Sequence, residues 1–123
     1  MISGVVNGNL EATIRLLLRG PGGQEQEIDA VIDTGFNGFL TLSPALVRQL
    51  SLPHLGQSRA LLADGQEELL DLYEVTLLWD GQWRGVETDA TDTGAVVGMA
   101  LLYGYSVSIE AVEGGQVVIA ALP

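Results

Sequence analysis

Short apolar runs that alternate with polar residues, each closed by a glycine-bearing turn, fill most of this 123-residue chain. This feature constrains the fold most, because period-two alternation buries one face of a strand and leaves the other wet. Leu10, Ala12, Ile14, Leu16 and Leu18 alternate with Glu11, Thr13 and Arg15. Gly20-Pro21-Gly22-Gly23 turns the chain, and Gln24 to Ile32 returns as the second arm of a hairpin. Gly38 to Leu42 reads as a short third strand. Ser43 then caps and Pro44 opens a short helix through Leu50, which Pro53 stops. Ser58 to Leu62 and Glu67 to Trp79 form strands around Asp64-Gly65, a strong hairpin signal. Asp80-Gly81 turns into Gln82 to Thr88, and Thr88 to Thr93 is polar loop. Ala95 to Val97 is strand, Met99 to Tyr103 one or two helical turns, and Val107 to Val112 with Val117 to Leu122 a last hairpin across Gly114-Gly115. No strand–helix–strand rhythm appears. The chain therefore predicts a single mostly-β domain over 1–123, a small closed β-barrel with one or two short helices. A faint internal echo links Ala30 to Gly35 with Ala95 to Gly98, both apolar strands running into glycine, and suggests two units about a pseudo-twofold axis.

Charge removes several functions. Five Lys and Arg face 16 Asp and Glu, for a net charge of -11. Nucleic acid is excluded as a ligand, since phosphate contacts need clustered cations. Cysteine is absent, which rules out a thiol nucleophile, a thiolate metal site and a disulfide framework. Met1-Ile2-Ser3-Gly4 lacks the basic-then-apolar order of a signal peptide, and the apolar run Ala95 to Tyr103 is too short to span a bilayer. A cytoplasmic location without membrane contact is the expectation.

One carboxylate stands out. Asp33-Thr34-Gly35 lies between the apolar runs Ala30-Val31-Ile32 and Phe39-Leu40-Thr41-Leu42. A carboxylate buried between core strands is costly unless hydrogen-bonded, and folds tolerate such groups chiefly where they act. Asp-Thr-Gly is also ordinary turn material, so the plain alternative is a turn cap. On the functional reading, Thr34 offers a hydroxyl, and Gly35 lets the backbone approach the carboxylate.

Val31-Ile32-Asp33-Thr34-Gly35 followed by Leu40-Thr41-Leu42 resembles the active-site segment of retropepsin-like aspartic proteases, above all the small single-domain prokaryotic members. Val96-Val97-Gly98-Met99 with Leu101-Leu102 resembles that family's second element, an apolar pair and glycine leading into a helix. Ala63-Asp64-Gly65 stands where the family places its flap, and Val107-Ser108-Ile109 is similar to the strand after the helix. The resemblance spans roughly residues 10 to 122. It implies the retroviral-type acid protease fold and an aspartic endopeptidase that hydrolyses peptide bonds with an activated water, without metal or cofactor. Asp33-Thr34-Gly35 is read as the chain's one such tripeptide, so an active enzyme of this type must be a homodimer whose partner supplies the second carboxylate. Thr34 would bond across the dimer axis and Gly35 would support the site. Leu62, Ala63, Asp64 and Gly65 would close over an extended polypeptide substrate, with Phe36, Val97 and Gly98 beside it. Two positions depart from the family pattern. Phe36 replaces a small residue after the tripeptide, and Ala100 replaces a polar one after Gly98-Met99. They motivate the alternative of a non-catalytic homodimeric peptide-binding module on the same fold.

Other constellations are weaker. His54 is the only histidine, so a His-rich zinc site is impossible, and it reads as a surface residue. Asp80, Asp89 and Asp92 do not follow Ca²⁺-loop spacing and read as solvated acids. Trp79 and Trp83 flank a turn and are expected to share one face, covering the barrel or, as the alternative, forming an interface. Gly20 to Gly23 lacks the strand-to-helix context of a phosphate cradle.

Overall fold

Most of the predicted alternation becomes pairing. In the computed structural model, which describes residues 1–61 and 64–123, β2 (Ala12–Arg19) and β3 (Glu25–Ile32) form the first hairpin, with Arg19 opposite Glu25. β4 (Leu40–Leu42) leads straight into α1 (Pro44–Gln49). Ser43 caps that helix by accepting from the Leu46 N–H at 3.2 Å. β5 (His54–Leu61), β6 (Glu67–Trp79) and β7 (Gln82–Ala90) follow as a meander. β8 (Val96–Val97) enters α2 (Met99–Leu102), and β9 (Tyr105–Ile109) and β10 (Gln116–Ala121) close the chain.

Six strands form a closed barrel, in the order β6-β7-β4-β8-β3-β2, and β2 pairs back onto β6 through Leu18–Leu77 and Arg19–Thr76. Closure removes the edges that an open sheet would expose. Leu16, Leu18, Leu40, Leu42, Leu77, Val97 and Leu101 fill the interior, each nearly or wholly inaccessible. Burying each such leucine stabilises the fold by about 1.5–3 kcal/mol.

One strand lies outside the sequence expectation. β1 (Ile2–Val6) pairs with β2 and with β10, joining the β9–β10 hairpin to the barrel. Its short run, broken by Ser3 and Gly4, carries little signal alone. Gly4 permits it, since a Cβ there would drive into the Thr13 carbonyl. Several boundaries also move. Leu10, expected to begin the first alternating strand, takes a φ of +58° in the turn before β2, and the expected Val107 to Val112 strand is Tyr105–Ile109. β5 begins at His54, before Ser58, and β7 runs through Thr88 and Asp89, which composition marks as loop. Thr88 is buried because it lies opposite Leu40 in a parallel ladder and its hydroxyl donates to the Leu40 carbonyl at 3.1 Å.

The strand order β5-β6-β7-β4-β8-β3-β2-β1 reads the same backwards when β1–β4 are exchanged for β5–β8. Each half is four strands and a helix. Equivalent strands meet antiparallel, β2 with β6 and β4 with β8, as a twofold axis requires. The remaining cross-pairs, β3 with β8 and β4 with β7, are parallel. The pseudo-twofold is thus present, but the echo has a different register. Val31-Ile32 and Val96-Val97 are side-by-side ladder partners, not symmetry counterparts.

Trp79 and Trp83 occupy opposite faces, correcting the expectation of a shared one. Trp79 is buried and meets the Tyr105 ring edge-on at 5.7 Å, whereas Trp83 is exposed under the Arg19 guanidinium at 3.7 Å. Among the described residues, no helix is long and apolar enough to cross a membrane.

Candidate active site

The segment from Asp33 to Phe39 connects β3 to β4 and is tied down almost wholly by backbone. The Asp33 N–H donates to the Val97 carbonyl at 2.9 Å, extending the parallel ladder one residue past β3. The Asp33 carboxylate accepts from the Gly35 N–H at 2.8 Å, and the Phe36 N–H donates to the Asp33 carbonyl at 3.2 Å. α2 completes the clamp. Its first N–H groups have no partner within the helix, and Met99 and Ala100 donate to the Phe36 and Gly38 carbonyls at 2.8 and 3.1 Å. Gly98 donates to the Phe39 carbonyl at 3.1 Å. A polar side chain at position 100 is therefore unnecessary for anchoring α2 here.

Asp33, Thr34 and Gly35 are all exposed in the single chain. The expectation of a carboxylate buried between core strands is corrected: β3 stops at Ile32 and the chain turns outward, so the carboxylate keeps water on one side and one backbone donor on the other. Phe36 folds back over two glycines. A Cβ on Gly38 would lie 2.5 Å from its ring, and one on Gly98 equally close. Val97 is wholly buried and Gly98 lies beneath the ring, so both support the loop from below.

A groove of about 510 Å³ opens beside this loop, bounded by Gly35, Phe36, Asn37 and Gly38, by Ser58, Arg59 and Leu61 of β5, and by Asp89 of β7. A smaller cavity of about 190 Å³ shares Gly38, Ser58 and Asp89 and adds Phe39, Leu40, Leu72 and Glu87. Ser58 donates to the Asp89 carboxylate at 2.7 Å, linking β5 to β7 across the groove. β5 and β6 converge on the hairpin tip, where the Asp64 carboxylate accepts from the Gln66 N–H at 3.0 Å and Gly65 takes a φ of +86°. Leu62 and Ala63, expected at that tip, lie outside the described residues. Ser58, Arg59 and Asp89 were not singled out as groove residues. For Asp89 the signal is parity: Glu87 and Asp89 alternate with the buried Val86 and Thr88 and so leave the core face.

The polar stretch after β7 contains a second Asp-Thr-Gly, Asp92-Thr93-Gly94, so the count of one such tripeptide per chain is corrected to two. It does not complete a pair with Asp33. The Thr91 N–H donates to the Leu42 carbonyl at 2.9 Å, at the C-terminal end of β4, while the Asp33 N–H donates to Val97 at the C-terminal end of β8. Since β4 and β8 run antiparallel, the two loops leave opposite ends of that ladder. The pseudo-twofold matches those two hydrogen bonds and the helix caps Ser43 and Gly98. It makes Thr91 the counterpart of Asp33, so Asp92 falls one residue late. Gly94 takes a φ of +91° and its carbonyl accepts from the Thr41 hydroxyl at 2.9 Å, which marks a structural turn.

His54 lies on the surface, 3.2 Å from Asp71 and edge-on to Tyr73, far along β5 from the hairpin tip. Among the described residues, no three His, Cys, Asp or Glu side chains gather closely enough to hold a metal ion. Comparisons with family models, curated proteins and solved structures gave no match.

Proposed function

We propose that the chain is one half of a homodimeric aspartic endopeptidase on the retropepsin plan, in which Asp33 of each subunit meets its copy across a twofold axis. The observation that carries this reading is the exposed Asp33 loop, held by backbone at the edge of a groove walled on another side by the strand leading to the β5–β6 hairpin. An anchored but uncovered carboxylate suits pairing with a second copy.

Two carboxylates a few ångströms apart share one proton, because both cannot ionise comfortably. The charged Asp33 takes a proton from a bound water, and the water oxygen attacks the carbonyl carbon of the peptide bond. The protonated Asp33 donates to the carbonyl oxygen. The tetrahedral intermediate then breaks its C–N bond: the nitrogen receives a proton from the pair, one hydroxyl of the intermediate returns its proton to the pair, and a carboxylic acid and an amine leave with the shared proton restored. Thr34 bonds across the axis and Gly35 supplies backbone contacts. An extended peptide fits this geometry, since β5 is an open edge of the sheet and can accept an added strand.

The test is digestion of a peptide library followed by mass spectrometry. Asp33→Asn should reduce cleavage by about a thousandfold, the scale of general acid–base catalysis, with circular dichroism unchanged. Undiminished cleavage by a clean Asp33→Asn preparation overturns the reading. Activity per chain should also fall on dilution as dimers separate. The alternative, peptide binding without cleavage, draws on Phe36, whose ring occupies the space over Gly38 and Gly98 beside Asp33. Peptides that bind the wild-type protein and leave uncut select it.

A further inference from the structure

The smaller cavity has a chemistry that the catalytic reading does not use. Phe39, Leu40 and Leu72 give it apolar walls, and Asp89 and Glu87 give it two carboxylates. Asp89 is half-buried, and its one side-chain partner among the described residues is the Ser58 hydroxyl, on Oδ1. No ion pair reaches Asp89 or Glu87 among the described residues: Arg59 is engaged with Glu67 at 3.5 Å, and Arg84 stacks on Phe39 at 5.7 Å. Glu87 also stands directly opposite Glu74 in the β6–β7 ladder. Like charges so placed destabilise a sheet, and a partly buried carboxylate without a cation costs further free energy.

We infer that Asp89, with Glu87, makes this cavity a subsite for a basic side chain of the peptide substrate, a proposal that rests on the groove being the peptide site. A lysine or arginine has the matching build: its methylene stem lies along apolar walls while its charged head reaches carboxylates. The cavity shares Gly38 with the wall of the groove beside the Asp33 loop, so a peptide passing that loop places a neighbouring side chain there. Asp89 is thereby a specificity-determining residue. The Ser58 hydroxyl orients its carboxylate and leaves Oδ2 for the incoming cation.

The experiment uses peptide pairs identical except for Lys or Met at each position flanking the cleaved bond. Wild-type protein should favour the Lys peptide at one position by about tenfold or more in kcat/KM, the scale of a charge-assisted hydrogen bond away from bulk water. Asp89→Asn keeps an acceptor for Ser58 and should bring that ratio close to one, and Glu87→Gln should lower it in part. An unchanged ratio in Asp89→Asn, or a wild-type preference for Met at every position, overturns the inference. If no peptide is cut, the catalytic reading fails separately, and fluorescence anisotropy with the same pairs decides this one. Lys-selective binding lost in Asp89→Asn supports it, and no binding or no selectivity overturns it. Should Asp89→Asn not fold, the Glu87→Gln ratio carries the same test.

Discussion

Phe36 packs onto Gly98 so closely that a Cβ at position 98 would lie 2.5 Å from the ring and collide with the Gly38 carbonyl as well. The aromatic residue after Asp-Thr-Gly and the glycine before α2 are thus one packing unit, although 62 positions separate them. Gly98→Ala must move backbone, and it should destabilise the fold by about 2–3 kcal/mol, the upper range for overpacking. Gly38→Ala meets only the ring, so it should cost less. Urea midpoints of both variants, alone and combined with Phe36→Ala, provide the check. Phe36→Ala should relieve Gly38→Ala strongly and Gly98→Ala only in part, because the carbonyl clash remains.

The two Asp-Thr-Gly loops should separate cleanly in function. Asp33→Asn is expected to cut cleavage about a thousandfold, whereas Asp92→Asn should leave cleavage within about twofold, because its loop leaves the opposite end of the β4–β8 ladder. Parallel assays of both variants on one substrate make the comparison. Loss of activity in Asp92→Asn at full folded content would contradict the assignment.

Thr41 should matter to stability more than its size suggests. Its hydroxyl donates to the Gly94 carbonyl at 2.9 Å and accepts from the Val96 N–H at 3.1 Å, joining β4 to the start of β8. Thr41→Val keeps the shape and strands both backbone groups, for an expected loss of about 1–3 kcal/mol. Hydrogen exchange at the Val96 amide should accelerate along with it.

Ser43→Ala removes the only side-chain cap among the two helices described. The expected cost is about 1 kcal/mol in a urea titration, with Ser43→Asp close to neutral.

Leu10 offers a stabilising change. It holds a φ of +58° at the β1–β2 turn with its side chain exposed, a conformation that costs an L-residue roughly 1–2 kcal/mol. Leu10→Asn should raise stability by about 0.5–1 kcal/mol, read as a higher thermal midpoint.

Local chemistry alone sufficed for the hairpins, the Ser43-Pro44 helix start and the barrel class, because alternation, turn glycines and caps act within a few residues. The Asp33 loop and the hairpin that faces its groove were legible for the same reason. Burial was not legible. Whether Asp33 lies inside or at the mouth, and whether Thr88 and Asp89 belong to loop or strand, depends on partners such as Val97 and Leu40 that are distant in sequence. Two identical tripeptides make the point sharply. Composition cannot separate Asp33-Thr34-Gly35 from Asp92-Thr93-Gly94. The antiparallel meeting of β4 and β8 does, sending one loop to the groove and the other to the far end of the ladder. The sequence by itself determined the hairpin strands, with β1 and the end of β7 as exceptions, since those hairpins are a local matter of period and turn chemistry. Only the tertiary structure decided which carboxylates stand beside the groove, since that requires closing the barrel.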